Sequence, residues 1–315
     1  MRFNPKSRID RSRVTDGGGG RGGGGGAMSG GGMQVPMPGG MKAGGGAAGL
    51  IIIILFVVVS SCLPSQDPAS GGSLDASQMV NSDSGRYDNC VTGADAETDD
   101  DCARVLIENS LRNYWAATLP DQTGTQLDPA TLETFTGAIG TGCGQATSQV
   151  GPFYCPPDQR IYLDTSFFAD VLQQQLNGPS GEFVEPYVIG HEYGHHIQNQ
   201  LGTMGRVKTQ QGPRSDAVRL ELQADCFAGM WTRAATSTTD AGGEPIILEL
   251  NDQDISDAIA AASAVGDDKI QAQTSGQVTP ETWTHGSAAS RVKWFQVGYQ
   301  QGSIDACDTW AVRTP

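Results

Sequence analysis

Residues 187–202 read YVIGHEYGHHIQNQLG, and three of the chain's four histidines, His191, His195 and His196, fall within six residues of it. Pro186 suits the first turn of a helix and Gly202 its end, so the stretch predicts a helix between them. On a helix, positions i and i+4 stand one above the other on the same face. His191 and His195 therefore share a face, while Glu192 and His196 are each turned about 100° from the histidine before them. Such a cluster could be chance on a solvated helix, or a core helix with satisfied imidazoles. The residue types favour a metal instead. HEYGH matches H-E-x-x-H, in which two imidazoles each offer one nitrogen to a tetrahedral Zn²⁺ at about 2.0–2.1 Å. Glu192 is rotated too far to be a ligand at the same vertex, but it suits a carboxylate touching a metal-bound water. Zinc pulls that water's pKa toward about 7, and the carboxylate takes its proton as the water attacks a carbonyl. His196 is assigned no role.

A hydrolytic zinc site keeps three protein ligands and one open position. ELQAD, residues 221–225, begins 26 residues after His195 on the next long amphipathic segment. Glu221 can complete a His₂Glu set. Asp225, one turn on, can accept the outer N–H of a ligating imidazole and fix its tautomer. Both acids could instead lie on a solvated helix face, but Cys226, Phe227 and Trp231 stand beside them. His285, in THGSAASRVKWFQVGYQQG, can reach the site as a donor to a tetrahedral oxyanion, with Arg291 orienting it or pairing with nearby acids. A helix-capping histidine is the bland alternative.

Composition bounds the rest. The chain has 315 residues and a net charge of −15. Its basic residues are concentrated ahead of residue 47, so the remainder is more acidic still and repels phosphate backbones; nucleic acid is not an expected partner. Residues 1–46 hold 17 of the 43 glycines and few large apolar side chains, which predicts a disordered, basic, cytoplasmic tail. AAGLIIIILFVVVSSCL, residues 47–63, carries no charge. With basic residues before it and acids after it, it reads as a single transmembrane helix at the short end of the roughly 17–25 residues a bilayer requires. The expected localisation is the cell membrane, amino terminus cytoplasmic and carboxy-terminal domain extracytoplasmic. Val59–Cys62 also resembles a lipobox, and whether Cys62 is lipidated stays open. The six remaining cysteines suit three disulfides in an oxidising compartment. Proximity and elimination suggest Cys90–Cys102, Cys143–Cys155 and Cys226–Cys307.

Residues 64–100 read as an exported linker, and 101–315 as the folded domain. CARVLIENSLRNYWAATL places Val105, Leu106, Leu111, Tyr114 and Trp115 at helical spacing. Residues 120–150 are turn-rich, with Leu127, Leu132, Phe135 and Ile139 as core candidates. A strand is expected over Arg160–Leu163 and helices over Thr165–Leu176, Ser215–Ala235, Asn251–Val265 and Ser287–Tyr299. The order is helix-dominated with a short sheet, an α+β domain.

HEYGHHIQNQLG followed by ELQADCFAGMW, with GPFYCPPDQRIYLD upstream and THGSAASRVKWFQVGYQQG downstream, resembles the bacterial neutral zinc metallopeptidase family over roughly residues 100–307. That family is similar to the gluzincins, in which a helical H-E-x-x-H and a Glu from a following helix bind zinc. The resemblance implies a zincin-like fold, with His191, His195 and Glu221 as ligands of one Zn²⁺ per chain. It further implies Glu192 as the catalytic base and Asp225 behind the ligands. Members commonly begin with a basic tail and one membrane span. The metzincin extension would require Gly at 198 and His at 201; Gln198 and Leu201 exclude it. The expected function is a membrane-anchored extracytoplasmic zinc peptidase acting on a peptide or protein substrate, held by β-pairing near Ile161–Asp164. The alternatives are a catalytically silent zinc-fold envelope binding or scaffold protein, which has no use for Glu192, and an envelope interaction protein that binds no metal. The oligomeric state is not legible.

Overall fold

The computed structural model describes residues 1–19, 84–174 and 177–315. Helix α1, Asp100–Thr123, is capped by the Asp99 side chain, which accepts the Asp101 N–H, and it stops at Gly124. Val105, Leu106, Leu111 and Trp115 are fully buried along it, as their spacing predicts. Helix α2, Val184–Gln200, carries the histidines and ends before the left-handed Gly202. Helix α3, Asp216–Ala234, starts at Ser215, whose hydroxyl accepts the Val218 N–H. Helices α4, Asp252–Ala264, α5, Asp267–Thr274, and α6, Ala288–Gln301, complete the helical layer. The short α5 is an addition to the helices read from the sequence. Of the helix expected over Thr165–Leu176, the described residues form one short, wide helical segment, Phe168–Gln173, and residues 175–176 lie outside the described residues.

Among the described residues eight strands accompany the helices: β1 Arg2–Phe3, β2 Val14–Gly19, β3 Thr131–Thr136, β4 Ala138–Thr141, β5 Gly144–Thr147, β6 Phe153–Cys155, β7 Arg160–Asp164 and β8 Ile247–Glu249. The main sheet has the order β2-β3-β7-β6, parallel except for β6. Leu132 and Phe135, core candidates in the turn-rich stretch, are buried on β3. Strand β7 is hydrogen-bonded on both sides. On the β6 side the pairing covers Arg160–Tyr162 and stops short of Leu163 and Asp164, so the Ile161–Tyr162 half of the stretch expected to hold a substrate is already taken. The edge nearer the histidine helix is β6, and Cys143–Cys155 ties the β4–β5 hairpin to its end. Cys90–Cys102 and Cys226–Cys307 are the other two disulfides, so all three match the pairing that proximity suggests.

The amino-terminal segment corrects two expectations. Residues 1–19 are not a disordered tail. Strand β2 runs parallel to β3 with Val14 opposite Leu132 and Asp16 opposite Thr134, and β1 pairs with β8. Phe3 and Val14 are buried in the core, and the Asn109 side chain donates to the Asp10 carbonyl and accepts the Asp10 N–H, both at 2.8 Å. A segment poor in apolar residues is ordered here because backbone pairing at a sheet edge requires no hydrophobic side chains of its own.

The membrane topology is likewise overturned. Among the described residues no helix is long and apolar enough to cross a membrane, and the run 47–63 lies outside them. Residue 19 pairs directly with residue 136, so the tail and the domain share one fold. They cannot also be separated by a hydrocarbon layer about 30 Å thick. The single transmembrane helix, and the single-pass cell-membrane localisation built on it, are not carried forward.

Close helix packing sets the stage for the site. A Cβ on Gly298 of α6 would come within 1.8 Å of the Cys226 carbonyl oxygen, and one on Gly229 of α3 within 2.1 Å of the Phe295 carbonyl oxygen. These two glycines let α3 and α6 meet at backbone distance. Gly194 of α2 similarly faces Ala224 of α3, where a Cβ would sit 3.0 Å from the carbonyl oxygen. The three helices are thereby held close enough for short side chains to bridge them.

Candidate metal centre

His191 and His195 stack on one face of α2 with ring centroids 4.7 Å apart. Glu221 reaches them from α3: its Oε2 lies 3.2 Å from His191 Nε2 and its Oε1 3.5 Å from His195 Nε2. One ligand atom from each of the three falls within 4.8 Å of the others, and all three residues are buried. Burial acts against ionised Glu221, but His195 and His191 outweigh it and hold the carboxyl well below its usual range.

Each imidazole is held from behind at Nδ1. His191 Nδ1 lies 2.8 Å from Asp225 Oδ1. Asp225 also accepts the Tyr187 hydroxyl and, at 2.8 and 2.9 Å, Arg291 Nε and Nη2. Although burial opposes its charge, Arg291 and His191 keep Asp225 below the ordinary carboxylate range. His195 Nδ1 meets Gln198 Oε1 at 2.9 Å. With both outer nitrogens engaged, the Nε2 atoms converge on Glu221. Two imidazole nitrogens and a carboxylate are the donor set of a three-ligand zinc site, and hydrogen bonds from each outer ring nitrogen are how such ligands are oriented. The residues fit the ion.

Glu192 lies beside this cluster, only 7% exposed. Burial raises its carboxyl above the usual range, opposed by His195 and His191, and it accepts the backbone N–H of Tyr154 on β6. The base candidate therefore sits between the histidine face and the sheet edge. His196 points elsewhere. Its Nε2 donates to the Asp128 carbonyl at 2.6 Å and its Nδ1 accepts the Tyr154 hydroxyl at 3.0 Å. Burial pushes it down to about 4, against the pull of Asp128. It is a neutral strut between α2 and β6.

His285 is buried on the loop before α6. Its backbone N–H and those of Thr284 and Gly286 all donate to Asp267 Oδ2, at 2.7–2.9 Å. Its Nδ1 lies 3.4 Å from Asp267 Oδ1. Burial would lower the imidazole, but Asp267 and then Glu221 raise it above its ordinary value. Asp267, not Arg291, orients His285; Arg291 belongs to the Asp225 pocket. Tyr187 and Gln198 had a legible signal, one turn before His191 and one turn after His195. Asp267 had none, because only the turn from α5 to α6 brings it to residue 285.

The chain is similar to known bacterial proteins. An uncharacterized protein of Mycobacterium tuberculosis is 51% identical over 224 residues, 70% of this chain and 74% of its own length. The uncharacterized protein YpfJ of Escherichia coli K12 is 41% identical over 185 residues, 57% of this chain and 61% of its own length. No solved structure matches. A family model described as "Putative neutral zinc metallopeptidase" matches residues 4–310, which takes in both the HEYGH helix and the amino-terminal strand β2. The chain belongs to that family.

Proposed function

We propose that the protein is a zinc-dependent peptidase, with His191, His195 and Glu221 holding one zinc ion per chain and Glu192 as the catalytic base. The ion, when bound, supplies Lewis acidity that activates water and polarises the scissile carbonyl. Glu192 takes a proton at its carboxylate during attack and delivers it to the leaving amine. The burial that raises its carboxyl suits a group that must alternate between the two forms. His285, steadied by Asp267, donates to the developing oxyanion. A peptide lies extended along the outer edge of β6, where the Tyr154 backbone turns its N–H away from β7 and toward Glu192.

The observation that carries this reading is the placement of Glu192. A buried carboxylate beside three metal-binding side chains, and facing a sheet edge, serves hydrolysis; a purely structural metal site needs no such group. That argues against a silent zinc-fold binding protein. The test is zinc content of the purified full chain together with hydrolysis of casein or a peptide library. Glu192→Gln is expected to keep its zinc and lose activity by about 10²–10⁴-fold. Full activity in Glu192→Gln sinks the mechanism, and a chain that takes up no zinc sinks the metal centre.

A further inference from the structure

The two imidazoles rest on unlike supports, and the support of His195 has a direction built into it. Gln198 and Gln223 are both buried. The Gln223 side-chain NH₂ donates to the Cys307 carbonyl at 3.1 Å. A backbone carbonyl only accepts, so the Gln223 amide has one orientation and its Oε1 faces the other way, toward Gln198. Gln198 Nε2 donates to that oxygen at 3.1 Å and to the Leu220 carbonyl at 2.7 Å. Its own Oε1 must then be the acceptor that meets His195 Nδ1 at 2.9 Å. The proton of His195 is thereby placed on Nδ1, and Nε2 keeps its lone pair toward Glu221. The far end of this relay is the residue joined to Cys226 of α3 by a disulfide spanning 81 positions.

We propose that Gln198 and Gln223 set the tautomer and aim of His195, and that the Cys226–Cys307 disulfide, by fixing the Cys307 carbonyl, is a working part of the metal centre. This rests on His195 being a zinc ligand. Gln198 and Gln223 are positioning residues; neither touches the reacting atoms. On the His191 side the ionised Asp225 carboxylate, which only accepts, places the proton on Nδ1 directly, so no amide relay is needed there.

The test measures zinc affinity of the full chain by competition with a chromogenic chelator, and ligand geometry from the visible spectrum of the Co²⁺-substituted protein. Thermal unfolding of the metal-free variants is followed alongside. Gln198→Met, close in volume, is expected to weaken zinc binding about 10–100-fold, the range for loss of a group orienting a ligand, and to shift the Co²⁺ spectrum. Gln223→Met should move both in the same direction by less, and it keeps the idea testable if Gln198→Met does not fold. The double variant Cys226→Ala/Cys307→Ala should weaken zinc in the wild-type background and add little in the Gln223→Met background, because the same relay is already cut. An unchanged zinc affinity in folded Gln198→Met or Gln223→Met overturns the proposal, as do disulfide and Gln223 effects that simply add. In those cases wild type still binds zinc, so the metal centre stands. A wild-type chain without zinc affinity removes both.

Discussion

Asp225 and Glu108 are both buried carboxylates with an arginine nearby, yet their surroundings drive them in opposite directions. Asp225, behind the metal ligands, has His191, Tyr187 and two Arg291 nitrogens on its oxygens, and its carboxyl is held low. Glu108 of α1 lies under the docked amino-terminal segment. One oxygen accepts from the Asn109 side chain at 2.8 Å, the other has no hydrogen-bond partner, and Arg112 Nε stays 4.0 Å away. Burial pushes it up to about 7 despite Arg112 and Asn109. Burial is common to both, so the number of partners decides the sign. The region that orients the metal ligands is fully compensated, whereas the seam with the amino-terminal segment is not.

Three experiments sharpen or break that contrast. The largest effect is expected from deleting residues 1–19. Losing the buried Phe3 and Val14 side chains should cost about 3–6 kcal/mol in urea unfolding. A deletion that leaves stability unchanged would mean the segment does not hold the seam. Arg291→Met comes next. It leaves ionised Asp225 without its cation, at a cost of about 3–5 kcal/mol, and should lower zinc affinity through His191. A stability loss near zero would show that the Asp225 pocket is not charge-compensated by Arg291.

Glu108→Gln is the smallest and has the opposite sign. A carboxyl raised from 4.5 to about 7 on folding binds its proton more tightly in the folded state. Its favourable contribution is complete below pH 4.5 and is lost as pH rises to about 7. Glu108→Gln keeps the bond from Asn109 and should stabilise the protein above pH 7 by about 3 kcal/mol, with little effect near pH 4. A destabilised variant at pH 8 would show that the ionised carboxylate is compensated after all.

The parts of the site that sequence reading reached share a property: each is local or carries distinctive chemistry. The grouping of His191 with His195, and the turning away of His196, follow from helical spacing alone. Glu221 and Asp225 were legible because a His₂ pair needs a third donor and an outer acceptor, and few acids on the next helix offered both. The cysteines paired as nearest neighbours, leaving Cys226 and Cys307 together. What escaped depended on distant partners. Strand β2 is specified by β3 more than a hundred residues away, and its glycine-rich sequence has no pattern that announces an edge strand. The apolar run after it suggested a membrane between two segments that the fold pairs directly. That β6 is the edge strand of the sheet was equally invisible, since strand order is set by the packing of the whole sheet.

Composition and spacing by themselves pointed to the His191/His195 face of one helix, to Glu221 as a candidate third donor and to the disulfide pairing, because the first two follow from a fixed helical repeat and the chemistry of a few side chains, and the last from nearness in sequence. Only the tertiary structure decided that residues 1–19 belong to the domain, that Asp267 steadies His285, and that a relay from Cys307 aims His195. Each of those is a hydrogen bond between residues far apart in the chain, and such bonds exist only once the packed helices and paired strands have brought donor and acceptor together.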